Sequence, residues 1–383
     1  MIIAADEAIP YLQAAFAGVG ELRLFSGRSA RREDVRGADA LLVRSVTKVG
    51  ADLLEGSSVR FVGTATIGMD HIDLEYLMSR GIHVANAAGS NAKAVAEYVI
   101  AALLETAEAK GWRLSEKSIA VIGAGHIGSL VEKMAAALGM EVLLCDPPLR
   151  ESTGDKRYRF LDDVLGADLL TLHVPLTAEG PYPTRHMIDG GVLQRLSPQQ
   201  YLINTARGAV VCGSDLKSAL RERRIEGAIL DVWEGEPRID YDLLDLVDLG
   251  TPHVAGSSLD GKVCGTAMVL EALCRFFGIE ERWDTRGIFP EPQRLRPQAG
   301  VEAQSAVRSV VREAYDIHRD DASLRASKGL PEDAAAERFD RLRIDYPLRR
   351  EFTHFVVEVP VGSSLASTFK ALGFQVVNRG LPA

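Results

Sequence analysis

The stretch SIAVIGAGHIGSLVEKMAAALGMEVLLCDPP, residues 118–148, restricts the possible folds more than any other part of the chain. An apolar strand pattern runs into a G-x-G-x-x-G turn, with Gly123, Gly125 and Gly128, and a helical pattern follows. Such a turn lets backbone amides approach a pyrophosphate at the N-terminus of the helix. The next strand ends at Asp146, whose carboxylate can accept hydrogen bonds from a ribose 2′-hydroxyl and would repel a 2′-phosphate. The stretch therefore predicts a dinucleotide site that prefers NAD, although the nearby Arg150 leaves NADP open.

Composition limits the classes of partner. The chain of 383 residues is 46% hydrophobic and 25% charged, which is typical of a globular protein with more than one domain. Its net charge of −9 argues against nucleic acid or an anionic membrane as a partner. The cysteines have no paired spacing, which favours a reducing compartment over a disulfide framework or a zinc site. We therefore expect a cytoplasmic protein that binds no nucleic acid, no membrane and no metal ion.

The order of the elements indicates the fold class. Short β-branched runs alternate with helical stretches up to residue 255, as in α/β domains with parallel sheets. A helix is predicted over 261–277, and the proline- and glycine-rich segment 288–300 is predicted to be a linker. The last part of the chain mixes a helix, a charged loop, a strand, a second helix and a final short strand. We predict two doubly wound parallel-sheet domains followed by a small α+β C-terminal domain.

Polar residues follow three apolar runs in the second α/β series. They are Arg207 in NTARG, Asp231, Glu234 and Glu236 in DVWEGEP, and His253 in TPHVAG. In open α/β sheets the carboxyl ends of the strands face one crevice, so these side chains are expected to converge. Oxidation of a 2-hydroxy acid needs a cation for the carboxylate, a base for the hydroxyl proton and an acidic partner for that base. Each residue alone has an ordinary structural interpretation, and only their combination downstream of a dinucleotide turn favours this chemistry.

These motifs resemble the D-isomer-specific 2-hydroxy-acid dehydrogenases. The matching pieces, GAGHIG with Asp146, HVPLT, INTARGAVV, DVWEGEP and TPHVAG, span most of residues 120–256. The resemblance implies that Arg207 binds the substrate carboxylate and that His253 is the acid/base catalyst paired with Glu236. The cofactor contacts that it implies are Gly123, Gly125, His126, Ile127, Gly128, Asp146, Val174, Ala206, Asp231 and Gly256.

The resemblance also implies a domain organisation. A Rossmann NAD-binding domain, 96–255, is inserted into a flavodoxin-like substrate domain made of 1–95 and 256–286. The C-terminal residues 287–383 form a dimerisation domain, and the molecule is a homodimer.

Motifs outside residues 120–256 narrow the resemblance to family members that act on a phosphorylated 2-hydroxy acid. They include LLVRSVTKV, RFVGTATIGMDHID, YDIHRDDASLR and YPLRRE. The implied substrate contacts are Ser45, Thr66 and Ser257, and the candidate ligands for the phosphate are Arg44, Arg349 and Arg350. Ser257 replaces the tyrosine usual in the family, and Val174 replaces a threonine. Two alternatives remain open: another D-2-hydroxy acid such as 3-phosphoglycerate, and an NAD-sensing binding protein on the same fold.

Overall fold

The computed structural model describes residues 1–379, which divide into two compact units. The first unit comprises Met1–Asn91 and Leu259–Glu291. The second comprises Ala92–Ser258 together with the described residues from Pro292 onwards.

The first unit is built on a five-stranded parallel sheet. Its strands are β1 (Ile2–Asp6), β2 (Glu21–Phe25), β3 (Ala40–Val43), β4 (Phe61–Thr64) and β5 (His83–Asn86). The connecting helices are α1 (Leu12–Ala15), α2 (Arg32–Val35), α3 (Ala51–Leu54) and α4 (Leu74–Ser79). The strand order β2-β1-β3-β4-β5 is that of flavodoxin-like folds, and β3 and β4 are buried along their whole length. Both facts confirm the prediction of a doubly wound sheet covered on both faces.

The second unit contains a seven-stranded parallel sheet. Its strands are β6 (Ser118–Ile122), β7 (Glu141–Cys145), β8 (Tyr158–Arg159), β9 (Leu169–Leu172), β10 (Tyr201–Asn204), β11 (Gly227–Leu230) and β12 (Leu249–Gly250). Its helices up to β12 are α5 (Ala92–Lys110), α6 (His126–Ala137), α7 (Pro147–Thr153), α8 (Gly190–Leu193), α9 (Gly213–Arg221) and α10 (Tyr241–Leu244). The order β8-β7-β6-β9-β10-β11-β12 extends the Rossmann arrangement by one strand. Its switch point lies between β6 and β9. The glycine turn directly follows β6, and the HVPLT motif directly follows β9.

Helix α11 (Leu259–Phe277) completes the core of the first unit. Its buried residues Val269, Leu270 and Leu273 pack with Phe61 and with Ile3 of the sheet. The chain thus returns to the first unit after the last strand of the second sheet.

The C-terminal residues form a small sheet with helices around it. Its strands β13 (Arg294–Leu295), β14 (Val356–Pro360) and β15 (Gln375–Arg379) are parallel and pair in chain order. Its helices are α12 (Ala303–Ala314), α13 (Ile317–Arg325), α14 (Glu332–Ile344) and α15 (Leu365–Ala371). The core of this part is continuous with the residues that α5 and α6 bury.

The boundary between the two units, after Glu291, falls inside the predicted linker 288–300, which also contains the two-residue strand β13. The prediction of a charged loop was wrong, since that segment consists largely of α13 and α14. Both helices bury only a narrow apolar stripe, Ile317 and Leu324 beside the buried Asp320 in one and Ala335, Ala336 and Phe339 in the other, so their charged residues conceal the helical periodicity. Within residues 1–379, no helix is long and apolar enough to cross a membrane.

We expect Gly63→Ala to destabilise the first unit, because a Cβ atom there would lie 2.6 Å from Cγ1 of Val269 and 3.0 Å from Leu42. Overpacking of this kind costs about 1–3 kcal/mol. Thermal unfolding should show a lower midpoint for Gly63→Ala, and the double variant with Val269→Ala should lose less than the sum of the two single changes. Gly166→Ala is the control, because a Cβ atom at Gly166 meets nothing within 4 Å. Strict additivity of Gly63→Ala and Val269→Ala would contradict the prediction.

Candidate active site

The glycine turn after β6 has the geometry of a dinucleotide site. Gly123 has φ of +92°, and a Cβ atom there would lie 2.6 Å from the carbonyl oxygen of His173. At Gly128 a Cβ atom would lie 1.9 Å from the carbonyl oxygen of Gly123, whereas nothing lies within 4 Å at Gly125. Gly123 and Gly128 allow close packing of the turn, and Gly125 leaves open space beside the N-terminus of α6. Since the first amides of a helix have no partner within it, His126 and Ile127 can present theirs to a pyrophosphate.

Asp146 lies at the end of β7, next to the glycine turn. Its Oδ2 accepts a hydrogen bond from the amide of Ala124 at 2.8 Å, and its Oδ1 accepts one from the amide of Leu149 at 3.0 Å, which caps α7. Arg150 donates to the carbonyl oxygen of Tyr158 at 2.8 Å and stacks over the ring of Phe160. The Arg150 guanidinium, which could have bound the 2′-phosphate of NADP, is thus engaged by other residues of the chain. The Asp146 carboxylate, in contrast, borders the glycine turn.

Two glutamates of the DVWEGEP motif have different partners. Glu236 Oε2 lies 2.8 Å from Nδ1 of His253, and its Oε1 accepts a hydrogen bond from the amide of Trp233 at 2.7 Å. Glu234 instead lies 2.6 Å from Nε2 of His186. Burial alone would raise the pKa of Glu236, but the charge of His253 and these hydrogen bonds hold that pKa below its usual value. A carboxylate on Nδ1 favours the tautomer with the proton on Nδ1, which leaves Nε2 to act on a ligand.

The loop that carries His253 folds around a buried carboxylate. Asp231, which directly follows β11, accepts hydrogen bonds from the hydroxyl of Thr251 at 2.6 Å and from the amides of Val254 and Ala255 at 2.8 and 3.0 Å. Its carbonyl oxygen accepts a further bond from the amide of His253 at 2.7 Å. Burial raises the pKa of Asp231, and these donors oppose that rise. The structure therefore gives Asp231 the role of holding the loop in place.

His253 itself has a left-handed backbone, with φ of +56°. Non-glycine residues adopt this conformation infrequently, although histidine, asparagine and aspartate do so more often than others. The amide of His253 bonds to Asp231, as described, and also to the carbonyl oxygen of Thr251 at 3.1 Å. The conformation is thus fixed by contacts on the preceding strand ends.

Arg207 lies beyond the end of β10, on the same edge of the sheet as Asp231 and His253. The register pairs Asn204 with Leu230 and Leu230 with Gly250, so the carboxyl ends of these three strands are aligned. Asn204 fixes the turn, since its side chain accepts from the amide of Ala206 and donates to the carbonyl oxygen of Arg207. The half-buried guanidinium of Arg207 donates to the carbonyl oxygen of Ala206 at 2.8 Å.

The other predicted contacts of the second unit lie near the same edge. Val174 follows β9, and its Cγ1 would be 3.0 Å from a Cβ atom at Gly123. Ser257 donates its amide to the carbonyl oxygen of Val254 at 2.8 Å, so Gly256 lies within a tight turn. His173 contacts the hydroxyls of Thr171 and Thr205, and burial lowers its pKa to about 3.

The predicted substrate contacts of the first unit follow β3 and β4. Ser45 is exposed, and Thr66 donates its hydroxyl to the carbonyl oxygen of Gly68 at 3.1 Å. Arg44 is engaged by the buried carboxylate of Asp6, with Nε 2.9 Å from Oδ2. This ion pair occupies one edge of the guanidinium that was a candidate ligand for phosphate.

The two arginines of YPLRRE were also candidate ligands for the phosphate. Arg349 and Arg350 are both buried. Arg349 donates to the carbonyl oxygens of Ala255 and Ala94, contacts that it would lose in reaching out to a phosphate. The sequence reasoning missed this role, and it also missed Tyr98, whose hydroxyl lies 2.7 Å from that of Thr251. A tyrosine within the apolar run of α5 was the one available signal for the latter contact.

Comparison with known proteins assigns the family. Residues 76–255 match the family described as D-isomer specific 2-hydroxyacid dehydrogenase, NAD binding domain. A relative from Hahella chejuensis, named erythronate-4-phosphate dehydrogenase, is 42% identical over 382 residues, which cover 99% of this chain and 100% of the relative. The chain belongs to the D-isomer specific 2-hydroxyacid dehydrogenases. This assignment confirms the predicted resemblance and the NAD-binding domain of the dehydrogenase.

Further relatives of this dehydrogenase agree. A Salinibacter ruber protein with the same name as the Hahella relative is 48% identical, with 93% of each chain covered. The solved structure of D-lactate dehydrogenase from Aquifex aeolicus, complexed with NAD and lactic acid, is similar with a TM-score of 0.61 and 26% identity. That similarity covers 73% of this chain and 96% of the other. Residues 289–373 match a second family, described as a domain of unknown function (DUF3410).

We expect Asp146→Ala to reduce the preference for NAD over NADP, because the variant loses the carboxylate that is predicted to bind the ribose hydroxyls and to repel a 2′-phosphate. The loss for NAD is on the order of 1–3 kcal/mol, as for hydrogen bonds to charged groups. The affinities for NAD and NADP, measured by titration, test it. Asp189→Ala is the matched control, since Asp189 caps α8 through the amide of Val192 in the same manner. An unchanged ratio of the two affinities in Asp146→Ala would contradict the prediction.

Proposed function

We propose that this chain oxidises 4-phospho-D-erythronate at C2 to 3-hydroxy-2-oxo-4-phosphooxybutanoate with NAD, a step of pyridoxal 5′-phosphate biosynthesis. The observation that carries the proposal is the pair of His253 and Glu236 on the ligand edge of an NAD-binding sheet. The name shared by relatives that match nearly the full length supports the choice of substrate.

His253, Glu236 and Arg207 have separate roles in the proposed reaction. Bound NAD supplies the acceptor for the hydride that leaves C2. His253 takes the proton of the C2 hydroxyl on Nε2, because Nδ1 is engaged by Glu236. The ionised Glu236 stabilises the imidazolium that results. Arg207 holds the substrate carboxylate with a planar pair of donors, which fixes the orientation of C2.

The phosphate needs donors of its own, since one guanidinium fork cannot hold both ends of a four-carbon acid. Ser45 and Thr66 are the candidates that we retain, with Ser257 as a further substrate contact. Arg349 is committed to two backbone carbonyl oxygens, and Arg44 is paired with Asp6, so neither is included.

Two further features belong to this proposal. The enzyme acts in the cytoplasm, in keeping with its cysteines, Cys145, Cys212, Cys264 and Cys274, whose spacing in the sequence suits no disulfide framework. It works as a homodimer, as the family resemblance implies, and light scattering on the purified protein tests that state.

Turnover of 4-phospho-D-erythronate, followed as NADH absorbance, tests the proposed function directly. The comparison substrates are 3-phosphoglycerate and D-lactate, which share the 2-hydroxycarboxylate and differ in the rest of the molecule. Higher kcat/KM for either comparison substrate would overturn the choice of substrate, and NAD binding without turnover of any acid would favour the sensor alternative.

We expect His253→Asn to lower kcat by roughly 10²–10⁴ with little change in NAD affinity, because the variant loses the proton acceptor.

Glu236→Gln should move the acidic limb of the pH profile for oxidation to lower pH. The reason is that the lowered pKa of Glu236 keeps its carboxylate ionised in the assay range, and its removal disfavours the imidazolium. Glu234→Gln is the matched control, since Glu234 pairs with His186 and should leave the limb in place. An unmoved limb in Glu236→Gln would show that this carboxylate does not act on the base.

We expect Arg207→Ala to weaken the use of D-erythronate and of its 4-phosphate by similar factors, because both carry the carboxylate. Ser45→Ala should weaken only the use of the phosphorylated acid. Values of kcat/KM for the two acids with each variant provide the test. If Ser45→Ala affects both acids equally, the phosphate is bound elsewhere.

A further inference from the structure

Side chains of the C-terminal segment, residues 292–379, contact both ends of the loop that carries His253. We refer to residues 250–258 as the histidine loop. At its start, Asp321 accepts a hydrogen bond from the amide of Gly250 at 2.7 Å. At its end, Ser258 donates its hydroxyl to Glu351 at 3.1 Å, and Arg349 donates to the carbonyl oxygen of Ala255 at 3.0 Å. The loop is thus held on either side of the histidine by a segment whose family has no assigned function.

Among these side chains, Arg349 carries a charge that is almost completely buried. Its side chain is 4% exposed, and its guanidinium lies 3.7 Å from the centre of the Tyr315 ring. Besides Ala255, it donates to the carbonyl oxygen of Ala94 at 2.7 Å, and Glu97 lies 3.8 Å away. A buried cation must be matched by acceptors and anions in fixed geometry, because its desolvation costs several kcal/mol. The guanidinium is therefore held rigidly, and it joins the first turn of α5 to the histidine loop.

The residue that Arg349 contacts is held from two directions. The amide of Ala255 donates to the buried carboxylate of Asp231, and the carbonyl oxygen of Ala255 accepts from the buried guanidinium. Hydrogen bonds to charged groups are about twice as strong as those between neutral groups. Two such bonds on one residue fix the course of the chain two residues after His253.

We propose that Arg349 is a positioning residue for His253, and that the C-terminal segment thereby completes the active site of the same chain. This inference rests on the proposed function, since it requires His253 to act as the proton acceptor. Asp321 and Glu351 contribute in the same way at the two ends of the histidine loop. None of the three is assigned contact with substrate or cofactor.

Loss of the Arg349 side chain should lower the rate of the reaction and leave ligand binding nearly unchanged. Without the guanidinium the carbonyl oxygen of Ala255 loses its partner, and the loop is held from the Asp231 side alone. Misplacement of a reacting group by about 1 Å can cost roughly 10²-fold in rate. Because Arg349 contacts the histidine loop, α5 and Tyr315, binding of NAD and of the substrate carboxylate should change little.

The test compares Arg349→Ala with Arg341→Ala in the full-length protein. Arg341 is an exposed arginine of α14 that pairs with Glu337, and its removal should leave activity unchanged. For Arg349→Ala we expect kcat for 4-phospho-D-erythronate to fall by roughly 10–100-fold, while KM and the NAD dissociation constant change by less than about threefold. Millimolar guanidinium chloride should restore part of kcat in Arg349→Ala, because the truncated side chain leaves space beside the two carbonyl oxygens. Sodium chloride at the same concentration should not restore it.

Other outcomes decide against the proposal. A kcat within twofold of wild type in Arg349→Ala, or a loss that appears only in KM or in NAD affinity, overturns the positioning role. If Arg349→Ala does not fold, Arg349→Lys and Ser258→Ala replace it, and a normal kcat in both overturns the proposal. An active wild-type enzyme with unaffected variants refutes this inference alone. A wild-type enzyme that turns over none of the acids refutes the proposed function and this inference with it.

Discussion

The carboxylate of Asp231 is the contact on which the geometry of the candidate site depends most. It lies at the end of β11 with 1% of its surface exposed, and three donors from residues 251–255 surround it. A carboxylate in such surroundings is tolerated only where donors match it, since leaving it unmatched would cost several kcal/mol. The loop therefore wraps around the carboxylate, and His253 is carried to the strand edge as a consequence.

The two parallel sheets supply the frame for this arrangement. In the second unit, the register of β10, β11 and β12 aligns the positions at which Arg207, Asp231 and His253 leave the sheet. The same sheet has its switch point between β6 and β9, where the glycine turn lies. The glycine turn and the pair of His253 and Glu236 thus share one edge because all strands run in one direction. The chemistry assigned to the chain follows from topology as much as from the identity of the side chains.

The sequence predicted those features that are local or periodic. The glycine turn and the longer strands of both sheets have short-range signals, and the structure contains them, whereas the two-residue strands β8 and β12 have none. Spacing alone did not distinguish Glu234 from Glu236, because the two carboxylates lie two residues apart, and only the family resemblance pointed to Glu236; the structure places Glu236 on His253. The helices α13 and α14 were hidden because their buried stripes are narrow and their other faces are charged. Burial of Arg349 was hidden for another reason: its partners are backbone carbonyl oxygens, which every residue has and no sequence pattern marks.

The left-handed backbone at His253 limits which residues can replace the histidine without strain. A residue at this position must satisfy a backbone demand that most side chains meet only with strain, whatever its chemistry. Asparagine and glycine meet that demand without supplying a base. A descendant that retained the fold and the nucleotide site but abandoned catalysis would therefore drift most readily to asparagine or glycine here. Either residue, found here in the sequence of a relative, would indicate that the proton acceptor has been lost.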